Sequence, residues 1–336
     1  MLSKLLARPW AWWFNKVPLS VTLMLLLADG RPLGWAQAGA LVLVVLVVCA
    51  VGNYGYALND LYDVDEDLKT GRPNFAVSAG RRRTVLVTAA SAVIALVLAW
   101  AASGLAGAGL TVLELMLPLA YSIPPVRIKE RKWLGVLCDA LAAHVYPAAL
   151  ALLAARHLEA GAPSAFVAAC VLAWSAAAGL RGILSHQLAT ADRDVTGGLT
   201  TVVHVFGRAP LERFVVFGLL PVEAAGFVGA VAASDTGPAL WALGGLYLAW
   251  EAYRTLDRRF TVRAFRPEGQ PYVPLVEEAF YKAWGPIVIA LDAARVDLKY
   301  LVVPVLYAIL FRMHFEIEAR RLAVLRSPSR TAPKPG

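Results

Sequence analysis

Apolar segments long enough to cross a bilayer recur along this chain, and nothing constrains its fold more. They lie at roughly 10–28, 36–60, 84–103, 106–122, 133–155, 163–189, 212–233 and 237–254, each close to the ~20 residues that carry a helix across about 30 Å of hydrocarbon. Inside lipid every backbone N–H and C=O needs a partner within the segment, so such runs read as helices. A further apolar region, about 277–312, would reach about 55 Å as one helix. Asp292, Arg295, Asp297 and Lys299 interrupt it, so it splits into two short helices near 294–297. The expected fold is all-α: a polytopic membrane helical bundle of nine or ten transmembrane helices. Composition agrees, with 59% of 336 residues hydrophobic and 17% charged and a mean hydropathy of +0.60. Charge in a soluble domain runs nearer ~25%.

Loop charges orient the bundle. Connections near 61–83, 126–132, 190–213 and 254–266 hold most of the Lys and Arg; those near 29–35, 103–106, 156–163 and 233–237 hold almost none beyond Arg31 and Arg156. The positive-inside rule puts the first set in the cytoplasm of a protein integral to the cell (inner) membrane. That rule accounts for the net charge of +8 with membrane lipid as partner and no nucleic acid. Residues 1–312 read as a single transmembrane domain and 313–336 as a basic cytoplasmic tail with a disordered end. A cytoplasmic tail requires the last apolar region to cross twice or re-enter; nine spans would leave it outside. The N-terminus "MLSKLLARPWAWWFNKVPLS" has no small-residue cleavage site and reads as a retained first helix with interfacial tryptophans. Cys49, Cys138 and Cys170 stand singly in apolar segments, as packed thiols rather than a zinc or disulfide framework.

Against this background the stretch "NDLYDVDED", residues 59–67, is anomalous: five acidic side chains at the end of an oily helix. On a helix Asp60, Asp63 and Asp67 follow i, i+3, i+7 and share one stripe. Aligned carboxylates repel unless something positive lies among them. Mg²⁺ typically takes one or two carboxylates plus substrate phosphate and water, so the stripe points to metal-held phosphate; Asp65 and Glu66 read as solvated loop. A second stretch, "SHQLATADRDVTGG" at 185–198, ends another long helix. With His186 set against Asn59, Gln187 meets Asp60, Thr190 meets Asp63 and Asp194 meets Asp67; Asp192 lies off that stripe. A third, "YSIPPVRIKERK" from Tyr121 to Lys132, stops a helix at its proline pair and follows it with four cations. Lys129 and one arginine there, with Arg72, are candidates for phosphate oxygens; the alternative is a basic membrane anchor.

The first stretch matches the NDxxDxxxD motif of the UbiA superfamily of intramembrane prenyltransferases. "YSIPPVRIKER" resembles the tyrosine-proline-lysine segment of that family's second cytoplasmic loop, and His186 through Gly198 and Thr201 resemble its second aspartate motif. The order is right over roughly residues 10–310. The family's second motif is DxxxD, whereas Thr190 stands here at the first aspartate, and the loop between Arg72-Pro73 and Gly80 is a few residues longer than usual.

The resemblance implies a helical bundle around a lipid-accessible cavity. It also implies a prenyl diphosphate donor bound through Mg²⁺, its apolar chain among the helices, and an aromatic or other lipophilic acceptor. Asp60, Asp63 and Asp67 are then assigned to the first metal and Asp194, helped by Asp192 or Gln187, to the second. Asn59, Arg72, Tyr121, Lys129, Arg131 and Gln187 are assigned to the diphosphate. Heterolysis of an allylic C–O bond places negative charge on the departing diphosphate, which Mg²⁺ and cations stabilise most in the transition state. The alternative within this fold is a membrane terpene cyclase acting on the diphosphate alone. A carrier is the reading from another class, but carriers place their carboxylates near the midplane. Glu114 and Glu223 lie mid-segment, either facing the cavity or bonded to a neighbouring helix. Asp139 and His144 serve as an acceptor base or a structural hydrogen bond, and Arg181 reaches phosphate or snorkels to the surface.

Overall fold

The computed structural model describes residues 9–28, 31–159, 163–196, 198, 200–235, 237–258, 261–263, 272–274, 280–312 and 316. Helices α1 (Pro9–Ala28) and α2 (Trp35–Tyr62) lead into two short helices, α3 (Val64–Thr70) and α4 (Phe75–Ala79), and then α5 (Arg81–Ser122). A 3-10 turn at Ile128–Glu130 precedes α6 (Trp133–Ala140), which continues through a π-helical turn, Leu141–Val145, into α7 (Tyr146–His157). Then come α8 (Ala165–Thr196), short α9 (Val202–Phe206), α10 (Arg208–Phe214), a π turn and α11 (Leu220–Ala232), and α12 (Gly237–Arg258). The last helices are α13 (Gly285–Ala293) and α14 (Val302–Leu310). Two three-residue strands, Thr261–Arg263 and Tyr272–Pro274, pair in parallel after α12.

The reversal inside α5 organises the bundle. Gly104 has φ 61 and ψ −153, a conformation open to glycine and strained for a residue with a Cβ. The two arms fold back on each other there. Asn53 Nδ2 donates to Ser91 Oγ at 2.9 Å, and the neighbouring Tyr54 hydroxyl donates to Leu115 O at 2.9 Å. One level of α2 therefore meets both arms. The first arm presents buried Ser91, Ala95, Ala99 and Ala102, a small-residue stripe that lets helices approach closely without a water-driven hydrophobic force. The main core joins that stripe to Val44, Val47, Val48 and Val51 of α2, Leu23 of α1, Ala148 and Ala151 of α7, and Ile289 of α13. Large apolar residues such as Trp100, Leu105, Phe217 and Leu246 face outward, where lipid is their natural solvent.

Among the described residues, five helices are long and apolar enough to cross a membrane: Trp35–Tyr62, Arg81–Ser122, Trp133–His157, Ala165–Ala191 and Arg208–Ala232. The expected nine or ten is reached only by counting the arms of α5 separately and adding α1, α12 and α13–α14. The expected break near 294–297 is present, and its charges explain it. Asp292 pairs with Arg295 at 3.2 Å. Asp297 accepts from Lys299 N at 3.0 Å and from Leu33 N at 3.2 Å, tying this turn to the α1–α2 connection. The basic tail read at 313–336 lies, apart from Glu316, outside the described residues.

Candidate active site

A cavity of about 450 Å³ opens between α2, the second arm of α5, α6 with its π turn, and α8. Along α2 and its cap it is lined from Asp63 inward through Asn59, Tyr56, Gly55 and Gly52 to Val51, twelve residue steps or roughly 18 Å of helix. Its outer mouth holds the three segments singled out in the sequence.

The acidic segment is not one continuous helix. α2 ends at Tyr62, Asp63 caps it at φ −108 and ψ 16, and α3 begins at Val64. The break turns the expected stripe apart. Asp63 lines the cavity, as does Glu66, which the sequence reading left in solvent; both are buried. Asp60 and Asp67 are buried too, and both bond to the following loop. Phe75 N donates to Asp60 Oδ2 at 2.8 Å, and Asn74 Nδ2 donates to Asp67 Oδ2 and to the Asp60 carbonyl, each at 2.9 Å. Asn74 also caps α4 by accepting from Val77 N at 3.1 Å. Sequence reasoning missed Asn74; its signal was an amide of N-cap type just before a short apolar run.

The basic segment reaches over these acids. Lys129 Nζ lies 2.6 Å from Asp63 Oδ1 and 2.9 Å from Glu66 Oε2. Arg127 Nη2 is 3.4 Å from each of the same two oxygens. Arg131, expected on the diphosphate, is instead exposed, donating to Pro125 O at 3.5 Å. Arg127, whose backbone is left-handed at φ 35 and ψ 59, is half-buried and pairs most closely with Glu130, its Nε 2.7 Å from Glu130 Oε1. Close packing holds Lys129 down: a Cβ on Gly135 would stand 3.2 Å from the Lys129 Cα. Tyr121 lines the cavity, and Ser122 Oγ donates to Asn59 Oδ1 at 3.2 Å.

The second acidic segment stays helical, so His186, Gln187, Thr190 and Asp194 all line the cavity. Thr190 Oγ1 is 2.8 Å from Asp194 Oδ2, and Arg72 Nη2 donates to Asp194 Oδ1 at 2.9 Å. Gln187 Oε1 is buried without a hydrogen-bond partner. Arg72 Nη1 is 3.8 Å from Glu66 Oε1, which links the two acidic segments. The side chain of Asp192 lies outside the described ones. Thr201, also in the wall, donates its N–H to His204 Nδ1 at 3.1 Å, leaving Nε2–H to bond Ala191 O at 3.0 Å.

The inner end is polar as well. Lys16, Glu114, Asp139, His144 and Lys282 line it. Lys16 Nζ lies 2.6 Å from His144 Nε2, so the imidazole accepts there and carries its proton on Nδ1. Lys16 and Lys282 were not singled out in the sequence, although a cation inside an apolar span is a signal. The two mid-segment glutamates part ways. Glu114 faces the cavity, while Glu223 is buried in a two-point pair with Arg181: Nε to Oε2 at 2.8 Å and Nη2 to Oε1 at 2.9 Å. Arg181 therefore neither reaches the mouth nor snorkels; it joins α8 to α11.

Among the described residues no group of three His, Cys, Asp or Glu forms a ready-made metal cage. The mouth nevertheless fits a divalent ion arriving with phosphate. Asp63 Oδ1 and Glu66 Oε2 already converge on one cation, the Lys129 ammonium, and Mg²⁺ commonly asks the protein for one or two carboxylates.

Comparison with known proteins bears on this geometry. The model of the UbiA prenyltransferase family matches residues 17–267. Homogentisate phytyltransferase of Synechocystis sp. is 37% identical over 128 residues, which is 35% of this chain and 39% of that protein; the match thus spans well under half of the curated relative. Among solved structures, a UbiA homolog from Archaeoglobus fulgidus bound to DMAPP and Mg²⁺ superposes with TM-score 0.54 and 22% identity, covering 88% of this chain and 97% of that one. An apo UbiA homolog from Aeropyrum pernix K1 gives TM-score 0.52 at 18% identity, covering 87% and 100%. At these identities the structural likeness concerns the fold.

Proposed function

Because the chain belongs to the UbiA prenyltransferase family, we propose that it moves a prenyl group from a prenyl diphosphate to a lipophilic aromatic acceptor, releasing diphosphate. The observation that carries this reading is the meeting of Asp63, Glu66 and Asp194 with Lys129, Arg127 and Arg72 at the mouth of an intramembrane cavity. Carboxylates for metal and cations for phosphate belong together only where both ligands are handled at once.

In this reading the diphosphate lies at the mouth and its prenyl chain runs inward between α2 and α8. Asp63, Glu66 and Asp194 hold the metal side, Asp60 and Asp67 brace the loop behind them, and Asn59, Tyr121 and Gln187 complete the wall. A bound Mg²⁺ would supply Lewis-acid stabilisation of the diphosphate as it departs. Lys129, Arg127 and Arg72 donate hydrogen bonds to its oxygens, which matter most as the allylic C–O bond breaks and its electron pair leaves with oxygen. A ring carbon of the acceptor then bonds to the allylic carbon, and the ring loses a proton toward Glu114 or Asp139. Lys16 and Lys282 favour an acceptor bearing an acidic group, in keeping with the name of the Synechocystis relative. The mouth faces the cytoplasm and the membrane is the inner one, on the loop-charge argument. Residues 1–312 act as one transmembrane domain.

The test is mass spectrometry of purified protein given prenyl diphosphates of several lengths, with and without Mg²⁺ and aromatic acids. A prenylated acceptor formed only with Mg²⁺ supports the reading. Cyclic hydrocarbon or alcohol formed without acceptor would identify a terpene cyclase instead.

A further inference from the structure

The carboxylates that face the cavity are already paired before any ligand arrives. Asp63, Glu66 and Asp194 each meet at least one of Lys129, Arg127 and Arg72, and Arg127 also lies 2.7 Å from Glu130. The three acids and Lys129 are buried, so the pairs are poorly screened and costly to separate. Two of the acid oxygens share a single ammonium at 2.6 and 2.9 Å, the place a metal ion would compete for.

We propose, on the prenyl-diphosphate reading above, that this site admits metal and diphosphate only as a pair, with Lys129, Arg127 and Arg72 passing from the carboxylates to diphosphate oxygens as the acids turn to the metal. A divalent ion alone has to expel Lys129 from both oxygens, stranding a buried ammonium, or sit beside it as added positive charge. A diphosphate alone brings several negative charges against three carboxylates. Together the two ligands nearly cancel, and every protein charge keeps an opposite partner. The ion pairs thus work as a lock that either ligand fails to open alone. Arg72 extends the lock across both segments, since its two nitrogens face Asp194 and Glu66.

The experiment is isothermal titration calorimetry on the full chain in lipid nanodiscs, with Mg²⁺ alone, inorganic diphosphate alone, and each in the presence of the other. Each ligand is expected to tighten the other by at least about tenfold, by the same factor in both directions, as linkage requires. Lys129→Gln is expected to strengthen binding of Mg²⁺ alone and to shrink the coupling; Arg127→Gln does the same more weakly and serves if the first variant misfolds. Independent binding of the two ligands to the unaltered protein overturns the lock while leaving the prenyl-diphosphate reading standing. So does affinity for Mg²⁺ alone that is unchanged in both variants. Failure of diphosphate to bind with Mg²⁺ present overturns both.

Discussion

The two acidic segments share a spacing and come to different ends. In the first, Asn59, Asp60, Asp63 and Asp67 belong to a helix that stops at Tyr62 and restarts at Val64. In the second, His186, Gln187, Thr190 and Asp194 belong to α8, which runs on to Thr196. The unbroken helix keeps its whole stripe on the cavity. The broken one exchanges its last member, so that Glu66 faces inward and Asp67 turns to Asn74. The broken segment thereby supplies two inward carboxylates and a braced loop, whereas the straight one supplies one carboxylate oriented by a hydroxyl. Charge is concentrated where the helix has ended and thinned where it continues.

The largest effect that would break this comparison is loss of an inward carboxylate. Asp63→Asn and Asp194→Asn are each expected to lower kcat/KM with Mg²⁺ by on the order of 10²–10³, read in a prenyl-transfer assay; wild-type turnover in either would remove it from the metal side. Next in size is Arg181→Ala, which leaves Glu223 buried without its pair. It should destabilise α8 against α11 by about 3–5 kcal/mol, seen as a lowered Tm in detergent. Glu223→Gln, which leaves the Arg181 guanidinium buried without its counter-charge, should cost a similar amount, and removing both charges together should cost less. The sharpest contrast lies between neighbours. Glu66→Gln is expected to depress kcat/KM more than Asp67→Asn, and Asp67→Asn to depress Tm more than Glu66→Gln; the opposite ranking would restore a continuous stripe. Smallest is Thr190→Val, which removes a hydrogen bond worth about 0.5–1.5 kcal/mol. It should raise the Mg²⁺ concentration for half-maximal rate by no more than about tenfold.

Much of the bundle was legible because lipid imposes a simple rule, that a spanning segment must be long, apolar and internally bonded. The break near 294–297 was legible for the same reason, since charges interrupting an apolar run are costly inside lipid. Arg127 was not, because four cations in six residues look alike until packing decides which of them meet the acids. Lys16 and His144 were not paired in advance because they are 128 residues apart. Glu114 and Glu223 looked equivalent along the chain; a neighbouring arginine on α8 separates them.

Sequence alone determined the class of molecule and the three places where charge gathers at helix ends, since these follow from local composition and the cost of dehydrating charge. Tertiary structure decided which charges meet. Direction depends on where a helix stops, and partnership depends on packing between elements distant along the chain, so Glu66 took the inward place that periodicity had assigned to Asp67, and Arg127 rather than Arg131 met the acids.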